Sequence, residues 1–211
     1  GTGLLLDALI KSKKVSAYGI DQNEIPSEKK AVINFVRLNL DNIEQLPEME
    51  NFDRVLMLDI IEHLSNPEIF LDAVRVRTTG KKPLVIATTG NVGFFVMRLQ
   101  LLMNNFNYGK HGILDKTHKR LFTFATFKRL FEQCGYKITK VQGIPAPFPK
   151  ALGLNFVSQA LLFLNQLLIR LNPGLFSYQI YLETEPAPVV EELLNISIRE
   201  SEARPFTNSQ C

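Results

Sequence analysis

Two apolar runs on either side of one amphipathic stretch constrain the fold of this chain most. The runs, residues 52–59 and 81–90, are apolar enough to be strands buried on both faces of a sheet. Between them, residues 66–78 open with Asn-Pro, a pair that favours a helix start, with Asn66 as the expected cap. Strand, helix and strand in this order indicate parallel strands joined by a crossover helix.

The same alternation extends in both directions along the chain. Upstream, the pattern predicts a helix over 4–14, a strand over 15–21, a helix around Pro26 and a strand over 33–41. Downstream, it predicts a helix over 126–134 and strands over 136–144 and 175–183. This order indicates an α/β, doubly wound sheet with helices on both faces. Since the first helix has no strand before it, we expect the central strand to be missing from a fragment of a longer protein.

Composition and charge narrow the class of protein. A hydrophobic share of 45% over 211 residues suffices for a core, and two cysteines do not make a disulfide framework. We expect one domain over 1–183 with a lid-like connection at 92–122, an apolar helical insertion at 145–175, and a mobile acidic tail at 184–211. The net charge of +3 combines a local +6 over 104–140 with −4 over 183–211. No nucleic-acid-reading motif accompanies the basic segment, so it is a solvated face or a site for an anionic substrate.

Ligand-binding residue types recur where predicted strands end. A Gly1-Thr2-Gly3 turn precedes the first helix, and Asp21, Asp41 and Asp59 each close a strand. Glycines let a backbone approach a ligand, and a carboxylate about twenty residues on can accept both hydroxyls of a ribose. Open α/β sheets bind ligands at this edge, so the set predicts a nucleotide-like cofactor.

A nicotinamide-binding domain would share the glycines and Asp21. It would also need a third glycine at position 6 for close packing of helix on strand, and that residue is Leu6. An NAD(P)-dependent oxidoreductase is therefore disfavoured.

Four segments, GTGLLLDAL, YGIDQNE, LNLDNIEQLP and FDRVLMLDIIEHL, together resemble the class I S-adenosylmethionine-dependent methyltransferases. The resemblance is closest to the small-molecule branch that includes the ubiquinone-biosynthesis O-methyltransferases. The segment GILDKTHKRLFTFATFKRLFEQCGY is similar to bacterial, cell-envelope-associated members. The resemblance implies a Rossmann-like, mostly parallel sheet with an antiparallel last strand, and S-adenosyl-L-methionine as cofactor.

The resemblance also implies a cofactor-binding set, although only two glycines of the family's acidic-x-Gly-x-Gly-x-Gly motif are present. The glycine turn would lie under the methionine part of S-adenosylmethionine. The successive strand ends would hold its ribose, its adenine and the side that carries the methyl group. The implied residues are Gly1, Thr2 and Gly3, then Asp21 and Gln22, then Asp41 and Asn42, and finally Asp59 and Ile60.

Methyl transfer to an oxygen, less favourably a nitrogen, of a small or lipid-linked metabolite is the function this implies. An oxygen acceptor needs a base, and we rank His63 first and His118 second. Each also has a structural interpretation, in local packing for His63 and in ordering of the lid for His118. No spacing is diagnostic of a metal, and no nucleic-acid partner is expected. The alternative function is a non-catalytic, methyltransferase-like interaction module.

An uncharged segment, residues 151–169, belongs to a predicted helix over 151–171. Polar side chains recur on it at helical spacing: Asn155, Ser158, Gln159, Asn165 and Gln166. A helix packed on its own domain or in a homodimer, an interfacial membrane helix and a membrane span are the three alternatives, in that order. We accordingly expect a cytoplasmic protein, free or peripheral at the inner membrane face.

Overall fold

The computed structural model describes residues 3–13, 15–24, 26, 34–190, 193–194 and 197–198. The chain divides into two compact units, Gly1–Pro47 and Glu48–Cys211. The predicted single domain over 1–183 stays a prediction.

The first unit contains one helix and one pair of strands. Helix α1 spans Leu4–Lys13, and strands β1, Tyr18–Asp21, and β2, Asn34–Arg37, pair in parallel. The helix start follows Gly3, whose φ of 69° lies in the left-handed region that favours glycine. The helix predicted around Pro26 falls mostly outside the described residues.

The second unit contains a four-stranded sheet in the order β3-β4-β6-β5. Its strands are β3 (Arg54–Leu58), β4 (Leu84–Gly90), β5 (Tyr136–Ile144) and β6 (Gln179–Pro186). Strands β3 and β4 are parallel, whereas β6 lies between β4 and β5 and runs antiparallel to both. The α/β class and the antiparallel last strand are therefore confirmed.

Two helices cover this sheet as predicted. Helix α2, Pro67–Arg77, joins β3 to β4, although the Asn66 side chain makes no capping hydrogen bond. A capping box of Thr123 and Thr126 opens helix α4, Phe124–Gln133, just before β5. Buried aromatic rings of Phe122, Phe127, Phe131 and Tyr136 pack in sequence along it, with centroids 5.2–5.5 Å apart.

Two details of the predicted organisation need correction. The lid-like connection over 92–122 contains a helix that was not predicted, α3, which spans Phe95–Leu102. Its sequence, FVMRLQLL, is too uniformly apolar to show an amphipathic period. The tail predicted from residue 184 begins later, because β6 runs to Pro186 and pairs Thr184 with both neighbouring strands.

The predicted helix over 151–171 is divided into pieces. Helix α5 spans Phe148–Leu152, α6 spans Phe156–Leu171 and α7 spans Pro173–Phe176. The break follows from Gly153, with a φ of 78°, and from Asn155, which forms a capping box with Ser158. Across the described ranges, no helix has the length and apolar character to cross a membrane.

Two residues of the predicted polar stripe on α6 face the protein interior. Ser158 and Asn165 are buried, whereas Asn155, Gln159 and Gln166 are exposed. Asn165 Oδ1 accepts a hydrogen bond from the Ala146 amide at 3.0 Å, and its Nδ2 donates to the Phe176 carbonyl at 2.8 Å. The predicted polar stripe is therefore only partly a packing face.

Candidate functional site

The carboxyl ends of β1 and β2 carry the predicted cofactor residues of the first unit. Asp21 is the last residue of β1, and its Oδ1 accepts a hydrogen bond from the Asn23 amide at 2.8 Å. The next carbonyl, of Gln22, accepts from Arg37 Nε at 3.0 Å. Because the strands are parallel, these ends and the segment after β2 lie at the same edge of the pair.

The prediction that Asp41 closes a strand is wrong, because β2 ends at Arg37 and Asp41 and Asn42 follow it in a tight turn. The Asp41 amide donates to Asn39 Oδ1 at 3.1 Å, and Asn42 directly precedes a 3₁₀ turn at Ile43–Gln45. Both side chains are exposed. Gly3 stands at the start of α1, where its carbonyl accepts from the Asp7 amide, while Gly1 and Thr2 lie outside the described residues.

Asp59 directly follows β3 in the second unit and has a strained backbone conformation. Its φ of 51° is left-handed, which costs a non-glycine residue about 1–2 kcal/mol. The Asp59 amide donates to the carbonyl and hydroxyl oxygens of Thr88, both at 3.1 Å. Its carboxylate accepts from the Thr88 hydroxyl and, with both oxygens at 3.0 Å, from Gln179 Nε2. Thr88 of β4 and Gln179 of β6 thus fix the Asp59 carboxylate just after β3, one residue before Ile60.

A buried carboxyl group follows Asp59 in the 3₁₀ turn Ile61–His63. Glu62 is 2% exposed, and its Oε2 has no hydrogen-bond partner among the described residues. Burial raises the pKa of the Glu62 carboxyl and the Asp59 charge raises it further, against opposing effects of a hydrogen bond with Thr89 and the charge of His118. Its carbonyl accepts from the amides of Lys119 and Arg120, which ties this turn to the segment carrying His118.

The two histidines ranked as bases lie against each other. The rings of His63 and His118 meet edge to face with centroids 4.7 Å apart. Nδ1 of His118 lies 2.9 Å from the Ile113 carbonyl oxygen, and Nδ1 of His63 lies 3.3 Å from that of Thr117. A carbonyl oxygen only accepts, so each Nδ1 carries the proton and each Nε2 of the neutral ring can accept one.

Neither Glu62 nor Gln179 is predicted from the sequence as a binding or catalytic residue. A glutamate among the apolar residues of LDIIEHL was a visible signal, because an acidic side chain there has to be buried or paired. Gln179 gave no comparable signal, since only the pairing of Gly90 with Gln179 brings it to Asp59. Within the described residues, no three His, Cys, Asp or Glu side chains are grouped to hold a metal ion.

Comparisons with known proteins agree with this fold. A curated relative, the small RNA 2'-O-methyltransferase of Tetrahymena thermophila, is 26% identical over 130 residues, covering 59% of this chain and 29% of the relative. The chain thus spans less than a third of that protein's length. A solved S-adenosylmethionine-dependent methyltransferase from Archaeoglobus fulgidus aligns with a TM-score of 0.56 at 18% identity, over 88% of this chain and 81% of that one. The small RNA methyltransferase HEN1 aligns with a TM-score of 0.56 at 15% identity, over 90% of this chain and 22% of its own.

The predicted Rossmann-like methyltransferase fold is confirmed by these structures, and the expected enzyme class and S-adenosylmethionine cofactor agree with it. The finer likeness to ubiquinone-biosynthesis O-methyltransferases stays a prediction. A family model described as methionine biosynthesis protein MetW matches residues 1–144, which is more than half of the chain. The chain therefore belongs to the MetW family.

Proposed function

We propose that this chain transfers a methyl group from S-adenosylmethionine to an oxygen of a small or lipid-linked metabolite, with nitrogen the less favoured acceptor. The observation that carries the proposal is the His63–His118 pair near the end of β3, with both Nδ1 atoms held by carbonyls. A neutral imidazole oriented in this way can remove a proton from a hydroxyl group.

The residues at the strand ends fit the cofactor in their chemistry. Asp21 offers a partly exposed carboxylate at the end of β1, suited to ribose hydroxyls, and Gly3 leads into the start of α1 without a side chain. The proposed binding residues are Gly1, Thr2, Gly3, Asp21, Gln22, Asp41, Asn42, Asp59 and Ile60. When bound, S-adenosylmethionine supplies a methyl group already activated on a sulfonium.

The sequence ranks His63 before His118, but we infer that His118 is the better placed of the two bases. Its Nδ1 hydrogen bond is the shorter, which fixes the ring more firmly, and its Nε2 would take the proton of the acceptor hydroxyl. The ring becomes an imidazolium when it does so, and a Glu62 carboxylate would stabilise that charge. His63 would pack against the ring and orient it.

Calorimetry with S-adenosylhomocysteine tests the cofactor residues. We expect Asp21→Ala to weaken binding by about 10- to 100-fold, because the ribose loses two hydrogen bonds to a charged group. Asp53→Ala is the matched control, because Asp53 precedes β3 at its opposite end and pairs with Lys81 at 2.8 Å. Equal affinity of the two variants would refute the assignment of Asp21.

Transfer of a tritiated methyl group to 3,4-dihydroxybenzoate, a phenolic probe, tests the base. We expect His118→Gln to lower kcat by about 10²–10⁴-fold while S-adenosylhomocysteine binding is retained. His111→Gln is the control, since His111 is exposed and its Nδ1 lies 4.0 Å from Asp115. A His118→Gln enzyme with the wild-type kcat would exclude His118 as the base.

An RNA hydroxyl is a second candidate acceptor. The observation that favours it is the likeness to two proteins named as small RNA methyltransferases, although the chain covers under a third of each. The same assay with a short single-stranded RNA distinguishes the two acceptors. Methylation of RNA, with none of the phenolic probe, would replace the metabolite proposal and the expectation that no nucleic acid is bound.

A further inference from the structure

One side of helix α6 is apolar and exposed. Phe156 is 85% exposed and Phe163 is 63% exposed, and the side chains around them are similarly open. We call this side the outer face of α6; it comprises Phe156, Val157, Phe163, Leu164, Leu167 and Leu171, with Gln159 and Gln166 among them.

The inner side of α6 prevents the helix from turning this face inward. Asn165 bonds to the main chain on two sides, and the Ser158 hydroxyl donates to the Gly153 carbonyl at 2.7 Å. A rotation that buried Phe163 would break these bonds and leave main-chain groups unsatisfied. The outer face is therefore a fixed surface of this unit.

Helix α3 packs against the short helices α5 and α7 that flank α6, and it carries further exposed apolar residues. The rings of Phe95 in α3 and Phe176 in α7 lie 6.0 Å apart, and Phe148 of α5 packs in the cluster with Phe94 and Phe95. The exposed residues at the other end of α3 are Leu99, Leu101, Leu102 and Met103. Exposed apolar side chains in this number mark an interaction site.

The charges of these segments select the kind of partner. Residues 91–114 and 144–182 contain no Asp or Glu, and their four cationic side chains are Arg98, Lys110, Lys150 and Arg170. An antiparallel second copy would bring the start of one α6, which follows Lys150 of α5, to the Arg170 end of the other, with no carboxylate in either segment to pair with these cations. An anionic surface attracts all four.

We propose that the outer face of α6, together with the exposed end of α3, docks on an anionic lipid bilayer. The helix has 16 residues and is about 24 Å long, shorter than the roughly 30 Å hydrocarbon core, so it lies in the interface. Phe and Leu side chains enter the acyl boundary, and the basic residues meet lipid phosphates. The inference rests on this surface alone and does not depend on the proposed reaction.

Sedimentation with vesicles tests the proposal on the whole chain. We expect binding to vesicles of equal parts phosphatidylcholine and phosphatidylglycerol, and weak binding to phosphatidylcholine alone. Phe156→Glu with Phe163→Glu should weaken binding by at least about tenfold, since two aromatic side chains no longer enter the bilayer. The matched control is Ile69→Glu with Val76→Glu on α2, seven residues apart like the test pair and 52% and 50% exposed. Unchanged binding by the α6 variant would overturn the proposal.

Neutralising Lys150 of α5 and Arg170 of α6 tests the electrostatic part of the proposal. Lys150→Gln with Arg170→Gln should weaken binding to the anionic vesicles by about fivefold per residue. Equal binding of the wild-type chain to neutral and anionic vesicles would overturn the requirement for an anionic surface.

A fluorescence measurement keeps the test decisive if the glutamate variants do not fold. The chain contains no Trp, so Phe163→Trp places a single reporter on the outer face. Its emission should shift to the blue with anionic vesicles, whereas that of Ile69→Trp should not. An unshifted Phe163→Trp emission would show that the outer face of α6 does not dock on the bilayer. A chain that binds no vesicles, and forms a dimer in light scattering that Phe156→Glu with Phe163→Glu abolishes, would show that the partner is a second copy.

Discussion

Replacing Asn165 by alanine tests whether α6 is held by its polar side. Asn165 is 4% exposed and joins two separate segments, through the Ala146 amide before it and the Phe176 carbonyl after it. The alanine variant removes both hydrogen bonds at once and cannot replace either.

The expected loss follows from these two bonds. Each main-chain group left unsatisfied in a buried position costs about 1–3 kcal/mol. Because the Phe176 bond is only part-buried and water can reach it, we expect a loss of about 3 kcal/mol in the free energy of unfolding.

Urea unfolding followed by circular dichroism measures this loss. The matched control is Gln166→Ala, one residue further on the same helix but exposed, for which we expect a change within about 0.5 kcal/mol. Hydrogen exchange adds a local readout, because the Ala146 amide should lose protection in Asn165→Ala. An Asn165→Ala protein as stable as Gln166→Ala, with Ala146 still protected, would show that the apolar face of α6 is the packed one.

Three further predictions concern other buried groups. The pKa of Glu62 is raised above its ordinary 4.5 in the folded protein, so its contribution to stability is lost as pH rises from about 4.5 through the folded pKa. The stability of Glu62→Gln relative to wild type, measured by urea unfolding, should therefore grow with pH, and a constant difference would contradict this. Gly143→Ala places a methyl group 1.9 Å from the Ser177 hydroxyl oxygen, so thermal unfolding should show a loss of about 1–3 kcal/mol, against little change for Gly109→Ala. Burial raises the pKa of the Cys134 thiol to about 11. In a variant that lacks the other cysteine, Cys211, we therefore expect alkylation of Cys134 at pH 8 to be about 100-fold slower than that of an ordinary thiol. An alkylation rate near that of free cysteine would refute this.

The sequence predicted the repeating part of the fold because that part follows from local patterns. Apolar runs predicted β3 and β4, and Asn66-Pro67 placed the start of α2. Helix α3 was missed because its two polar residues, Arg98 and Gln100, lie on different sides of a short, otherwise apolar helix and define no amphipathic period. The break before α6 depends on Gly153 in a left-handed conformation, which the single uncharged run obscured.

The candidate site was predictable only where its residues end strands. Asp21 ends β1 and Asp59 directly follows β3, as the pattern predicts. The sequence also indicates His63 and His118 as bases, but it does not link the two. Their contact depends on the main-chain bonds between Glu62 and the segment after residue 118, which no local pattern reveals.

The place of β6 between β4 and β5 has a consequence for how the chain is made. Gly90 of β4 pairs with Gln179 of β6, which lies 89 positions later in the chain. Strand β5 also pairs with β6 over its length, so both strands remain unpaired on this edge until β6 is made. During synthesis the ribosome therefore releases β4 and β5 with open edges, which are the features that recruit chaperones or other chains. Closure of the sheet is non-local and should be slow, so the nascent protein is most vulnerable to aggregation just before residue 179 emerges.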